Sequence, residues 1–163
     1  MEDLLKTCSK RTTTQAIVSL KNGERSFKFA RDNGADYVLT MNNLQKIDIK
    51  KDDIVHFGSL MFSYPRGRKF YYKAVEYVKS KGALISFDVN YRDDIFKSSE
   101  IAKRIYKKAM KFADILKISD EELDVLSNKK TLKGKIKSLT NEDQIVLVSR
   151  GKEGSLLFYK DKF

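Results

Sequence analysis

Three polar side chains fall within five residues of one another: Asp88, an acceptor; Asn90, both donor and acceptor; and Arg92, a fork donor. They follow the apolar run Ala-Leu-Ile-Ser-Phe at residues 83–87, which has the length of a buried strand. A strand ending this way delivers hydrogen-bonding chemistry to the carboxyl edge of a sheet, where open α/β folds hold their ligands. The set suits a polyhydroxylated or anionic small molecule. The same residue types also cap and turn loops, and spacing by itself leaves both roles open.

The elements that would position such a site recur along the chain. Apolar strand segments at 54–57, 84–87, 115–118 and 145–148 lie roughly thirty residues apart. Between them, Phe70, Ala74, Val75 and Val78 form one helical stripe, and Ile101, Ile105, Ala109 and Phe112 form the next. Strand, helix, strand at that length is the βαβ unit, with right-handed crossovers and a parallel sheet. Ser119-Asp-Glu-Glu122 reads as a capping box that opens a short helix directly after the third strand. Gly151 and Gly154 follow the fourth strand, and 155–159 alternates weakly as an antiparallel return strand. His56, the only histidine, is expected to pack in the core beside Phe57.

The first fifty residues are organised differently. Segments 12–20 and 24–31 flank Lys21-Asn-Gly23, and Asn-Gly is a strong hairpin signal. A hairpin ahead of a parallel array is expected to project as a flap, with 36–41 returning as a short strand or turn. The expected division is a hairpin segment over 1–35 and an α/β core over 36–163.

Composition removes several classes. The 163 residues are 41% apolar, with ten Phe and eight Tyr, which suits one domain with a substantial core and excludes a disordered chain. No run approaches the roughly 20 apolar residues of a membrane span, and no signal peptide is expected. The single cysteine, Cys8, excludes an internal disulfide and fits a reducing, cytoplasmic setting. A net charge of +11 raises nucleic-acid binding as a question. The lysines, however, are spread along the polar faces of the helices (Lys103, Lys107, Lys108, Lys111), and no basic run alternates with aromatics. Neither nucleic acid nor membrane is therefore an expected partner, whereas positive potential favours a phosphorylated small molecule.

Six segments taken in order, Arg11-Thr-Thr-Thr14, Asn22-Gly-Glu-Arg-Ser-Phe27, Val55-His-Phe-Gly-Ser59, Ile85-Ser-Phe-Asp-Val-Asn-Tyr-Arg92, Lys117-Ile-Ser-Asp-Glu-Glu-Leu123 and Val148-Ser-Arg-Gly-Lys-Glu-Gly154, resemble ribokinase-type (PfkB) sugar kinases, and most closely bacterial fructokinases. The resemblance implies a ribokinase-like, doubly wound, mostly parallel α/β sheet with a small β-hairpin lid, and transfer of the ATP γ-phosphate to a sugar hydroxyl. It places Arg31, Gly58, Ser59, Asp88, Asn90 and Arg92 around the sugar, Lys117, Ser119, Ser149, Gly151 and Gly154 around ATP, and Glu122 near Mg²⁺. Such lids often form dimer interfaces, which makes the Phe27 and Phe29 face a candidate for homodimerisation. Surface solvation of the arginines, helix capping by Glu122 and a plain tight turn at the glycines stay open as other roles.

Departures matter as much. Ala30 stands where an aromatic residue often precedes the sugar-binding arginine, and Ser119 replaces the Asn of an Asn-x-x-Glu motif. No Gly-Ala-Gly-Asp sequence occurs, although in that family it supplies both the aspartate base and an anion-binding helix N-terminus. The chain is thus expected to be the central part of a longer kinase, without its catalytic base and with negligible activity alone. Two other readings remain: a 2-keto-3-deoxygluconate kinase, whose paired arginines meet a carboxylate, and a non-catalytic ligand-binding or interaction module.

Overall fold

Apolar residues alternating with period two build the sheet that carries the site. In the computed structural model, which describes residues 10–21, 24–30, 33–35, 38–92 and 95–163, the chain divides into two units, Met1–Ile47 and Asp48–Phe163.

In the first unit, β1 (Gln15–Lys21) and β2 (Glu24–Ala30) pair antiparallel from Gln15 opposite Ala30 to Lys21 opposite Glu24. This is the expected hairpin; Asn22 and Gly23 lie outside the described residues. Ile17, Val18 and Leu20 of β1 are exposed. Thr12 bridges to Gly34, with its N–H donating to Asn33 O and its carbonyl accepting from Ala35 N–H. Within the expected 36–41 segment, Val38 N–H donates to Ala35 O, and a single helical turn, α1 (Met41–Leu44), begins at Met41.

The second unit is a five-stranded sheet in the order β3-β4-β5-β6-β7. β3 (Ile54–Gly58), β4 (Leu84–Asp88), β5 (Ile115–Ser119) and β6 (Ile145–Ser149) are parallel, and β7 (Ser155–Phe158) returns antiparallel beside β6. The crossovers carry α2 (Pro65–Ser80), α3 (Ser99–Met110), and the pair α4 (Asp120–Leu126) and α5 (Leu132–Leu139). Right-handed crossovers along a monotonic strand order put successive helices on the same face. Accordingly Phe57, Ile85, Phe87, Leu116, Ile118, Val146, Val148 and Phe158 are buried, while the alternate residues Ile54, Leu84, Leu147 and Leu157 are exposed.

Local chemistry sets the helix ends. Pro65 occupies N1 of α2, where its missing N–H costs nothing. Gly82, at φ +76°, and Ala83 close the other end of α2 with N–H bonds to Lys79 O and Val78 O, a Schellman pairing. Ser98, Ser119 and Thr131 each accept an N–H from the first turn of the helix they precede. Beneath the sheet, Phe62 packs edge-on against Tyr71 at 4.9 Å and Tyr106 at 5.9 Å, with Phe87 tilted at 5.6 Å. Tyr71 Oη donates to Ala109 O at 3.1 Å and joins α2 to α3. Gln144, also buried, donates through Nε2 to Met110 O and Ala113 O and so seals the end of α3.

Two expectations are corrected. The buried stripe of α3 is Ala102, Tyr106, Ala109 and Met110, whereas Ile101, Ile105 and Phe112 are half-buried. His56 is exposed rather than packed, because Phe57 takes the helix-covered face and strand alternation turns His56 to the other, where Nδ1 lies 3.1 Å from Ser86 Oγ.

Candidate functional site

Register brings the sequence-predicted residues to one edge. Gly58, Asp88, Ser119 and Ser149 are the last residues of four adjacent parallel strands. Gly58 pairs with Asp88, Asp88 with Lys117, and Ser119 with Ser149. By strand alternation all five sit on the face opposite the helices, at its carboxyl rim. A Cβ added at Gly58 would meet nothing within 4 Å, so the rim is open there.

Asp88 is held within this edge. Lys117 Nζ lies 3.1 Å from Asp88 Oδ1, an ion pair whose angle falls outside hydrogen-bond geometry. Oδ1 itself is shielded from solvent, while the Lys117 side chain remains 45% exposed. The half-exposed lysine offsets the charge of the carboxylate, and the Asp88 side chain as a whole stays 33% exposed although Oδ1 is covered.

The loop after β4 is fixed by its backbone. Val89 N–H donates to Lys117 O at 3.0 Å. Asn90 has φ +37°, an unusual value for a residue with a side chain, though Asn tolerates it best after Gly. Its carbonyl accepts from Ser59 Oγ at 3.0 Å and from Tyr106 Oη at 3.4 Å. Tyr91 N–H donates to Glu122 Oε1 at 2.6 Å, and Arg92 N–H to Tyr106 Oη at 3.1 Å. Ser59 and Tyr106 are both buried, and burial pushes the Tyr106 phenol up to about 12.

Glu122 is occupied in a way the sequence half disclosed. The expected capping box is present: Glu122 N–H donates to Ser119 Oγ at 3.1 Å, and Ser119 N–H donates to Glu122 Oε2 at 2.8 Å. With Oε1 taken by Tyr91, each carboxylate oxygen already accepts one backbone N–H. Among the described residues no cluster of three or more His, Cys, Asp or Glu could hold a metal ion. Mg²⁺ keeps several waters and leans on one or two carboxylates plus phosphate oxygens, so Glu122 fits as a single carboxylate behind ordered water.

At the far end of the rim, Ser149 leads into a short 3₁₀ turn at Gly151–Glu153. Gly151 has φ +52° and Gly154 φ +84° with ψ −139°, the latter a conformation open essentially to glycine alone. Arg150 N–H donates to Gly154 O at 2.8 Å, and the Arg150 guanidinium pairs with Glu153. No neighbour lies within 4 Å of a Cβ built on either glycine, so conformation rather than crowding selects glycine here.

Arg31 lies outside the described residues. The structure thus brings together Asp88 with Lys117, Ser59 with Asn90, and Ser119 with Glu122. Tyr106, which touches both ends of the Asn90–Arg92 backbone, belongs to no sequence motif that marks a site residue. Its signal was only the helical spacing with Ala102 and Met110.

The pfkB family carbohydrate kinase profile matches residues 3–163. The chain is 34% identical over 152 residues to the probable fructokinase-2 of Arabidopsis thaliana, covering 91% of this chain and 46% of that protein. It is 30% identical over 155 residues to the fructokinase of Salmonella typhimurium, covering 94% and 50%. The crystal structure of the Xylella fastidiosa fructokinase with bound ATP superposes with a TM-score of 0.80 at 26% identity, covering 95% of this chain and 50% of that one. The chain spans about half the length of the curated relatives it matches.

Proposed function

The chain belongs to the pfkB family of carbohydrate kinases, and from that premise we propose that the protein transfers a phosphoryl group from ATP to a hexose hydroxyl, with fructose as the sugar. The observation that carries the reading is the polar rim at the carboxyl ends of β3 to β6, continued by the fixed Asn90–Arg92 loop.

In this reading Asp88 and Asn90 hydrogen-bond sugar hydroxyls, and Arg92, with Arg31 of the hairpin unit, supplies fork donors. Gly58 leaves the rim open to the ring, and Ser59 supports the floor from beneath through Asn90 O. Residues 1–35 are assigned the role of lid. The nucleotide lies toward β5 and β6, where Lys117 offers a cation, Ser119 and Ser149 offer hydroxyls, and Gly151 and Gly154 admit close backbone approach. Glu122 is the residue that would hold Mg²⁺, through water; the ion would screen charge on the transferring phosphate. Phosphoryl transfer depends on positioning and on electrostatics at the developing charge. These residues supply the positioning. The sequence contains no Gly-Ala-Gly-Asp, so the base is not among them, and this chain alone is proposed to bind without turnover.

A cytoplasmic setting is part of the same proposal; no helix among the described residues is long and apolar enough to cross a membrane. A homodimer through the hairpin is supported by the exposed Ile17, Val18 and Leu20 of β1, while the Phe27 and Phe29 side chains lie outside what is described.

The test is a thermal-shift titration of this chain with fructose, with 2-keto-3-deoxygluconate and with ADP. Fructose is expected to raise the melting temperature, more strongly with ADP present, and Arg92→Ala is expected to abolish the sugar effect. A shift with the keto-acid alone would transfer the reading to a 2-keto-3-deoxygluconate kinase. No shift with any of them would remove the kinase reading from this chain.

A further inference from the structure

The loop that carries Asn90 and Arg92 is held through its backbone by three side chains from three different parts of the fold. Ser59 directly follows β3, Tyr106 lies in the middle of α3, and Glu122 in the first turn of α4. Together they engage the Asn90 carbonyl twice, the Tyr91 N–H once and the Arg92 N–H once. Every one of these four bonds is made to the backbone of the loop.

We propose that Tyr106 is a positioning residue for sugar recognition: its hydroxyl, acting with Ser59 and Glu122, pins the Asn90–Arg92 backbone in the left-handed turn that presents Asn90 and Arg92 at the rim. The assignment rests on the sugar-binding reading given under Proposed function.

Geometry supports the leading place of Tyr106. Its Oη is the only one of the three groups that bonds both sides of the turn, donating to Asn90 O and accepting from Arg92 N–H. A hydroxyl can do both at once; a carboxylate or an ammonium cannot. The ring is fixed by aromatic neighbours on several sides, Phe62 at 5.9 Å, Tyr91 at 5.0 Å and Phe96 at 5.8 Å between centroids. The side chain is fully buried, so water cannot replace the hydroxyl if it is lost. The phenol, raised to about 12 by burial, also remains protonated throughout the pH range in which proteins operate, so the donor is permanent.

The turn needs such a clamp. Asn90 at φ +37° sits in a region that residues with a Cβ populate sparingly, and an unrestrained loop would relax toward negative φ. Relaxation would rotate the Asn90 side chain and swing Arg92, two residues on, away from the same ligand. Loss of the clamp is therefore read as weaker sugar binding.

The experiment compares Tyr106→Phe with Tyr71→Phe in the full chain. Tyr71 is a matched control: another fully buried phenol in the same aromatic cluster, whose hydroxyl bonds Ala109 O and not the loop. Two measurements are made on each, residue-resolved amide hydrogen exchange without ligand and the dissociation constant for fructose in the presence of ADP. In Tyr106→Phe, exchange at the Arg92 amide is expected to accelerate about tenfold beyond any global change, and fructose binding to weaken by roughly fivefold to tenfold. In Tyr71→Phe neither is expected to move at equal loss of melting temperature. Should Tyr106→Phe not fold, Ser59→Ala removes the other hydroxyl from Asn90 O and is expected to produce the same pair of changes. Unchanged Arg92 exchange would overturn the clamp. Faster exchange with unchanged fructose affinity would overturn its role in recognition while leaving the kinase reading intact. Wild-type protein that binds no fructose would overturn that reading first, and this assignment with it.

Discussion

Tyr71 and Tyr106 are buried phenols whose ionisation is linked to the stability of the core. Burial holds both above the ordinary tyrosine value of 10.0, Tyr106 up to about 12. Each binds its proton more tightly in the folded than in the unfolded chain. Their contribution is therefore complete below pH 10 and is lost progressively as pH rises from there toward the folded-state value. Above about pH 10 each group lowers stability by roughly 1.4 kcal/mol per pH unit until the folded-state phenol also ionises. Urea midpoints measured from neutral pH to pH 11 should fall steeply for the wild type and less steeply for Tyr106→Phe, which has nothing to ionise there. Equal slopes would show that Tyr106 does not carry the alkaline limb. The same residue explains what the sequence left hidden at this scale. The positions of Asp88, Asn90 and Arg92 at and just beyond the end of β4 were legible because an apolar run of strand length stops directly before them. Tyr106 was not, because its bonds go to backbone atoms that have no residue signature. Glu122 was legible as a cap through its spacing from Ser119, yet its second bond, to Tyr91 N–H, spans 31 residues and leaves no local pattern.

At the scale of elements, the close approach of α2 to the turn before it depends on one residue without a side chain. A Cβ on Gly67 would overlap the Met61 carbonyl, with the rest of Met61 directly behind it. Two effects compete in Gly67→Ala. Alanine gains up to about 1 kcal/mol in a helix relative to glycine. Forcing a methyl against fixed backbone costs roughly 1–3 kcal/mol and displaces the 3₁₀ turn at Leu60–Ser63, which carries Phe62. The clash is expected to win, with a lower urea midpoint at unchanged slope and a weakened near-ultraviolet signal from the aromatic cluster; a more stable Gly67→Ala would mean the turn moves freely. Strands β3 to β6 were readable because a short apolar run bounded by turns has few alternatives, and β7 followed from alternation. The stripe of α3 was displaced by a position because Ile101 and Ile105 outweigh Ala102 and Tyr106 in hydropathy. Packing instead favours the small residue that lets the helix approach and the aromatic whose hydroxyl finds partners. Helix α5 has no marked apolar stripe in the sequence, since only Ile136 and Leu139 of its eight residues are buried.

For the whole molecule, two surface properties oppose each other. Ile17, Val18 and Leu20 are exposed in the hairpin unit, and Ile54, Leu84, Leu147 and Leu157 are exposed on the face of the core sheet opposite helices α2 to α5. Parallel sheets usually have both faces covered, and exposed apolar side chains of this kind favour association. The net charge of +11 works the other way, because like-charged copies repel over roughly the Debye length, about 10 Å at 0.1 M salt. Screening should therefore release association: the weight-average mass by sedimentation is expected to rise between about 0.05 M and about 0.5 M salt, where the screening length falls severalfold. A mass that fell with salt would mean that ion pairs, not apolar contact, hold the copies together. Single lysine substitutions locate the contact. Leu20→Lys should return the high-salt mass to that of the monomer if the hairpin is the interface, and Leu157→Lys should do so if the sheet face is. Both side chains are more than half exposed, at 71% and 53%, so neither change should cost much stability, and the melting temperature serves as the control that separates lost association from lost fold.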